Sequence, residues 1–376
     1  MRLGIGVYAD EPSGLAVATV DTALALHRAG IDVALFALPG SHLPARAEAI
    51  SDRVVWLEPV PRPLRGRAGS TALFLAARLA VARRLAEAVE RHPVDAIHVL
   101  SPGMAARLPA GIRTSVQAWF HPPRLIPRLR TLLPFTARPV LYPLNVVVQA
   151  QSHLSDLAGY RRADLVLTNT EAAATAMQER GFRTACVPPP IEIGEQPIGR
   201  QRGERLRLAF CSHPLSLRRK GLRFLLEALP SVGHRPLELT LVGGMDPIFE
   251  PGIERAREAG IEVRTLGRVP RDEYLELLGR EVDLLVFPSL YEEWGYALFE
   301  ALGRGVPALA FDLYPFSEII DERTGMLAPA RDCAALAAAI DRAAAGGLPA
   351  AEAVREATRE RFGSARLAQR LPELLA

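Results

Sequence analysis

Apolar residues along this chain fall into two alternating patterns: short continuous runs, and longer runs with helical spacing. "RLGIGVYA" (2–9) reads as a first buried strand. "AVATVDTALALHRAG" (16–30) follows, with apolar residues every three or four positions and Gly30 as a helix stop. "DVALFAL" (32–38), "VDAIHVLS" (94–101), "TSVQAWFH" (114–121) and "ADLVLTN" (163–169) continue the strand series. The second half repeats it with "RLRLAFCS" (205–212), "LELTLVGG" (237–244), "IEVRTLG" (261–267), "VDLLVFPS" (282–289) and "VPALAFD" (306–312). Strands separated by helices predict a parallel sheet covered on both faces, and here the pattern occurs twice. The polar stretch "GEQPIGRQRGER" (194–205), rich in Gly and charge, predicts a linker between the halves. The expected fold class is therefore α/β: two doubly wound, Rossmann-like domains facing a central cleft, with ligands at the carboxyl ends of the strands. The expected boundaries are 1–195 and 205–355, with 356–376 a C-terminal helix packing back toward the first domain.

Length agrees, since 376 residues suit two domains of roughly 150 residues each. A composition 49% hydrophobic and 23% charged supplies two ordinary cores. The net charge of +3 is uneven. Residues 1–200 hold 22 Arg against 16 Asp+Glu, and residues 201–376 hold 23 Lys+Arg against 26. A basic first half suits an anionic partner: a phosphorylated substrate, a membrane surface or nucleic acid. No aromatic stacking platform or nucleic-acid motif accompanies the charge, so no nucleic-acid partner is expected. Cys186, Cys211 and Cys333 are too scattered for a disulfide framework or a metal site, which predicts a reducing, cytoplasmic location. "MRLGIGVYAD" reads as a strand, not a signal peptide. "TALFLAARLAVARRLAEAV" (71–89) is interrupted by Arg78, Arg83 and Arg84, and so predicts an amphipathic helix rather than a membrane span.

Two places concentrate candidate chemistry. Lys220 is the only lysine among 45 basic residues, and it stands before Gly221 at the head of an apolar helical run, "SLRRKGLRFLLEALP" (216–230). The second is "VDLLVFPSLYEEWGYALFEALGRGVPALAFD" (282–312). There a buried strand is broken at Pro288-Ser289, and a helix follows that carries Glu300, with Glu292, Trp294 and Gly295 just before it. A helix start at a strand's carboxyl end suits an anion or a hydroxyl-bearing ligand, and carboxylates accept paired sugar hydroxyls. On spacing alone, two glutamates eight apart mean little, since on a surface helix they are usually solvated.

The whole string closely resembles the glutamate–seven residues–glutamate signature of the family-4 retaining glycosyltransferases, which have the GT-B fold. The resemblance extends through "VRTLGRVPRDEYLELLGREVDLLVFPS" before it and "GVPALAFDLYPFSEIIDERTGMLAPARDCAALAAAI" after it, including Glu318 and Gly325. It is strong from Leu206 to Ala344. "ADLVLTNTEAAATAMQERGF" and "VPPPIEI" resemble the close of the family's first domain.

The resemblance implies a hexosyltransferase that moves a sugar from a nucleotide-diphosphate donor to an acceptor hydroxyl with retention of configuration. It implies no metal and no cofactor beyond the nucleotide-sugar co-substrate. Lys220 would meet the diphosphate, with Gly221 letting the backbone approach. The family's usual arginine five residues earlier is here Leu215, so Arg218, Arg219 or His213 is left to supply the second cation, with Arg218 favoured. Glu292 would orient the sugar hydroxyls and Glu300 the ribose, with Gly295 and Tyr296 at the helix start beside the donor. Gly267, Arg268 and Val269 would hold the base, largely through the main chain, though Arg268 also fits an exposed turn. Gly14 resembles the family's phosphate-covering glycine loop, with one glycine of the usual pair. His121 would lie near the transferred sugar, or serve as an ordinary turn residue. Asn169 and Thr170, at the next strand end, are candidates to reach sugar or acceptor. Gly243-Gly244 is a tight turn at a sheet's carboxyl end, placed either to approach the ligand or only to allow φ > 0. The segment 124–149 mixes four arginines with Leu, Ile, Phe and Tyr, and fits either a peripheral contact with an anionic inner membrane face or a packed acceptor-side loop. An epimerase or phosphorylase on the same fold, and a non-catalytic basic membrane-binding module, are the alternatives.

Overall fold

The continuous apolar runs become the central strands of two parallel sheets. The structure, a computed structural model, describes all residues except 8–13, 40–42, 44, 61–73, 120–124, 126–128, 130–141, 194–203, 213–217 and 235, and except the side chains of 7, 14, 45, 74, 142 and 218. The described strands are β1 (Arg2–Val7), β2 (Asp32–Ala37), β3 (Val54–Trp56), β4 (Ala96–Val99), β5 (Arg113–Ala118), β6 (Leu165–Thr168) and β7 (Thr184–Cys186) in the first half. The second half holds β8 (Leu206–Cys211), β9 (Leu237–Val242), β10 (Glu262–Gly267), β11 (Leu284–Phe287), β12 (Ala308–Phe311) and β13 (Gly325–Ala328).

The first sheet runs β3-β2-β1-β4-β5-β6-β7 and the second β10-β9-β8-β11-β12-β13. All pairings are parallel; β1 sets Leu3 beside Val33 and Ala96, and β8 sets Leu208 beside Leu239 and Leu284. Strands covered on both faces need apolar residues throughout, and β9, β11 and β12 are buried at every position.

Helices fill the crossovers. Gly14–Arg28 follows β1 and stops where the left-handed Gly30 (φ +80°) turns the chain, its N–H donating to the His27 carbonyl at 2.9 Å. Phe74–Arg91 buries Ala77, Val81, Ala82, Leu85, Ala88 and Val89 and leaves Arg83 outside. That is the expected amphipathic helix. Among the described residues no helix is long and apolar enough to cross a membrane.

The chain divides into two compact units, Met1–Pro190 with Phe362–Ala376, and Ile191–Arg361. The last helix, Ser364–Leu375, belongs to the first unit, where the Leu375 carbonyl accepts from Arg113 Nη1 at 2.9 Å. Each unit has its own apolar cluster. Phe36, Leu85, Ile97 and Val116 lie in the first, and Phe210, Leu225, Leu239 and Phe311 in the second.

Candidate active site

The strand order of the second sheet decides where chemistry collects. Crossovers leave β8 for β9 on one side and later return to place β11 on the other. The loops that follow β8 and β11 therefore open side by side at the carboxyl ends of their strands, where ligands bind in such sheets. After β8 the chain forms a single turn of 3-10 helix, Arg218–Lys220, and enters the helix Leu222–Ala228. After β11 it runs through Pro288 to Gly295 and enters the helix Tyr296–Gly303.

Backbone contacts lock these loops together. Gly221 joins the turn to its helix at φ +80°, and a Cβ there would lie 1.9 Å from the Pro288 carbonyl oxygen. The Leu290 N–H donates to the Arg219 carbonyl at 2.7 Å. Only glycine combines this dihedral with this approach.

Lys220, so placed, donates from Nζ to Glu292 Oε1 and stands 5.4 Å from the centroid of the Phe287 ring. Arg219 Nη1 lies 3.2 Å from the same carboxylate oxygen and donates to the Tyr291 carbonyl at 2.9 Å. The Ser289 hydroxyl is 3.1 Å from Glu292 Oε1 and within reach of the Arg219 and Tyr291 carbonyls, and its one proton serves one acceptor at a time. Burial is the largest influence on the Glu292 carboxyl and pushes its pKa up. The charges of Lys220 and Arg219, with hydrogen bonds from Lys220 and Ser289, together outweigh it, so the pKa lies below the ordinary carboxylate value. Two cations and one carboxylate leave this point with a net positive charge.

Aromatic packing supports the loop that carries Glu292. Trp294 stacks on Phe299 at 4.1 Å, and Phe287 meets Phe316 edge-on at 5.6 Å. Gly295 (φ +84°) then starts the helix that bears Tyr296 and Glu300. Glu300 Oε1 accepts from Arg271 Nε at 2.6 Å.

Other expected site residues are placed as follows. Gly267 closes β10 at φ +67°, and its carbonyl accepts from the Gly243 N–H at 2.7 Å. Arg268 is exposed and Val269 half-buried in the turn after it. Asn169 Oδ1 accepts from Gln117 Nε2 at 2.7 Å, and Thr170 Oγ1 caps the helix Glu171–Gln178 by accepting from the Ala173 N–H. Gly14 is the first residue of its helix. His121, His213, Leu215 and the Arg218 side chain lie outside the described residues. Among the described residues, no three His, Cys, Asp or Glu side chains gather as a metal site.

Residues 13–190 match the family described as "Glycosyl transferase 4-like domain", and residues 205–345 the family described as "Glycosyl transferases group 1". The chain belongs to the family-4 glycosyltransferases, on the GT-B fold. It is 36% identical over 128 residues to phosphatidyl-myo-inositol mannosyltransferase of Mycobacterium leprae, a match that spans 32% of this chain and 33% of that protein. Among solved structures it is similar to lipopolysaccharide outer core galactosyltransferase WaaB in its apo form, with a TM-score of 0.69 and 15% identity over 99% of this chain and 98% of that one. It is also similar to HepE of Anabaena in complex with UDP-glucose, with a TM-score of 0.67 and 18% identity over 100% and 99% of the two chains. At these identities the structural likeness establishes the fold.

Two residues of this candidate site carried no role in the sequence expectations. Ser289 looked like a strand breaker, yet its hydroxyl reaches the central carboxylate. Arg271 received no role. The signal available was a cation in the first turn of a helix, where the macrodipole favours the neighbouring Asp272 and Glu273.

Proposed function

We propose that the protein transfers a sugar from a nucleotide-diphosphate donor to an acceptor hydroxyl with retention of anomeric configuration. The observation that carries this reading is the Lys220–Glu292 pair, flanked by Arg219, at the carboxyl ends of β8 and β11. Lys220 and Arg219 offer charge to the departing diphosphate, and charge-assisted hydrogen bonds of this kind contribute roughly 1.5–3 kcal/mol each. In this reading Arg219 takes the second-cation role for which Arg218 was favoured. As the diphosphate draws the two cations, Glu292 turns to the sugar hydroxyls, and Glu300 takes the ribose.

The bond between the anomeric carbon and the phosphate oxygen breaks, and its electron pair stays with the phosphate. The acceptor oxygen bonds to the same face of the sugar and its proton passes to the leaving phosphate oxygen. That route gives retention with no enzyme nucleophile. It assigns charge neutralisation to side chains, so turnover that persists in EDTA is expected.

The same reading makes the protein cytoplasmic, with a peripheral membrane contact through 124–149. Leu144 and Val147, one helical turn apart on Tyr142–Arg162, are 43% and 49% exposed, which favours that contact. Flotation with anionic but not neutral vesicles is its check.

The experiment that tests the donor reading is a thermal-shift screen against UDP, GDP, ADP and TDP, followed by an assay for acceptor-dependent nucleotide release. Selective stabilisation by one diphosphate, lost in Lys220→Ala, is expected. Acceptor-independent turnover of the donor would favour an epimerase, and a requirement for inorganic phosphate a phosphorylase.

A further inference from the structure

Arg271 opens the helix Arg271–Glu281, and its guanidinium turns to two carboxylates outside that helix. Nε donates to Glu300 Oε1 at 2.6 Å, and Nη1 lies 3.6 Å from Glu192 Oε2. Glu300 is mostly buried, Arg271 half-buried and Glu192 the most open of the three. Glu192 meets the Glu300 helix a second time, because a Cβ on Gly303 would stand 2.8 Å from the Glu192 carbonyl oxygen. One short segment thus bears on both the side chain that grips Glu300 and the end of the helix that carries it. The contact at Gly303 leaves no room for a larger residue without backbone movement.

We propose that Arg271 is a positioning residue that fixes the plane of the Glu300 carboxylate for the ribose hydroxyls of the donor, with Glu192 holding the guanidinium in turn. This rests on the donor reading above. A glutamate side chain has several rotamers, and a ribose diol presents two donors at a fixed spacing, so the carboxylate must be held in one orientation to accept both. A guanidinium does this better than an ammonium, because its planar fork sets direction as well as charge. Lys220 and Arg271 therefore divide the work: one meets charge, the other orients an acceptor it never shares with the phosphates.

The test is the preference for ribose hydroxyls. Full-length wild type, Arg271→Met, Arg271→Lys and Glu192→Gln are titrated calorimetrically with UDP, GDP and ADP and with their 2′,3′-dideoxy counterparts. Wild type is expected to favour the hydroxylated form of the nucleotide it binds by about tenfold or more. Arg271→Met should lose most of that preference while dideoxy affinity stays within about twofold; Arg271→Lys should restore part, and Glu192→Gln should lose about threefold. An intact preference in the Arg271 variants overturns the proposal. So does an equal loss for both nucleotide forms, which marks a purely structural role. If Arg271→Met does not fold, Arg271→Lys and Glu192→Gln decide the matter by the same criterion. A wild type that binds none of these nucleotides overturns the donor reading itself, a different failure from binding that ignores residue 271.

Discussion

Lys220 and Glu292, 72 positions apart in sequence, form an ion pair in which the two side chains are 15% and 7% exposed. Replacing Lys220 by Ala removes the ammonium that the proposed function sets against the diphosphate, and leaves Glu292 to Arg219 and Ser289. Turnover should fall at least about tenfold, the equivalent of ~1.4 kcal/mol of transition-state stabilisation. Chemical denaturation should show a loss of about 1–3 kcal/mol, because the surviving partners only partly compensate a buried carboxylate. Lys220→Arg should recover more of the stability than of the rate, since a planar guanidinium does not fit a site shaped for a compact cation. Unchanged kinetics in Lys220→Ala would remove the residue from the mechanism.

Glu292 competes with any anion for the same two cations. Glu292→Gln keeps the shape and removes the negative charge, so inorganic pyrophosphate should bind about threefold to tenfold more tightly, by the rules for opposite charges at close range. Sugar transfer should fall at the same time, because an amide accepts fewer hydrogen bonds than a carboxylate. Pyrophosphate affinity and turnover moving in opposite directions is the outcome to look for. Parallel losses would place Glu292 in scaffolding alone.

Gly221 sets the geometry of that pair. Its φ of +80° and the 1.9 Å approach of the Pro288 oxygen mean that even a methyl group forces the two loops apart. Gly221→Ala should cost about 3 kcal/mol or more in stability, combining left-handed strain with overlap. As the loops separate, Lys220 and Arg219 are carried out of the arrangement in which both reach one point, so nucleotide diphosphates should fail to stabilise whatever folded protein remains. Differential scanning fluorimetry with and without ligand reads both effects.

The sequence was most legible where burial forces a pattern. Among the interior strands, β2, β6, β11 and β12 are nearly continuous apolar runs because both faces are covered, and all four are plain in the sequence. The strands it hid, β3, β7 and β13, are short and lie at three of the four sheet edges, where one neighbour suffices and the apolar signal is weak. Lys220 stood out as the only lysine, Glu292 and Glu300 through the family resemblance, and the strand order then explains why Lys220 and Glu292 meet. Local spacing could not reveal Arg271, because its partners Glu192 and Glu300 lie far from it in the chain. Nor could spacing show that Asn169 and Thr170, at a strand end like the others, spend hydrogen bonds on Gln117 and on a helix cap.

His98 is a buried titratable group that the proposed chemistry does not use. It sits in β4 with Nδ1 2.9 Å from the Ser115 hydroxyl of β5, and burial, only partly opposed by hydrogen bonding to Ser115, lowers its pKa from 6.5 to about 3. The imidazole is therefore neutral in the folded protein at any pH above that value, while the unfolded chain takes up a proton below about 6.5. The unfolded state binds more protons across this window, so stability is full above it and is lost as pH falls through it. Between pH 7 and pH 5 the loss from this one group should be about 2 kcal/mol, at ~1.4 kcal/mol per unit of pH below the unfolded pKa. His98→Asn should be less stable than wild type at pH 7 but should lack this acid dependence, so the gap between the two narrows on acidification. Hydrogen exchange of the β4 and β5 amides at the two pH values measures it where it acts. A gap that stays constant would mean that His98 is charged in the folded protein, contrary to its burial.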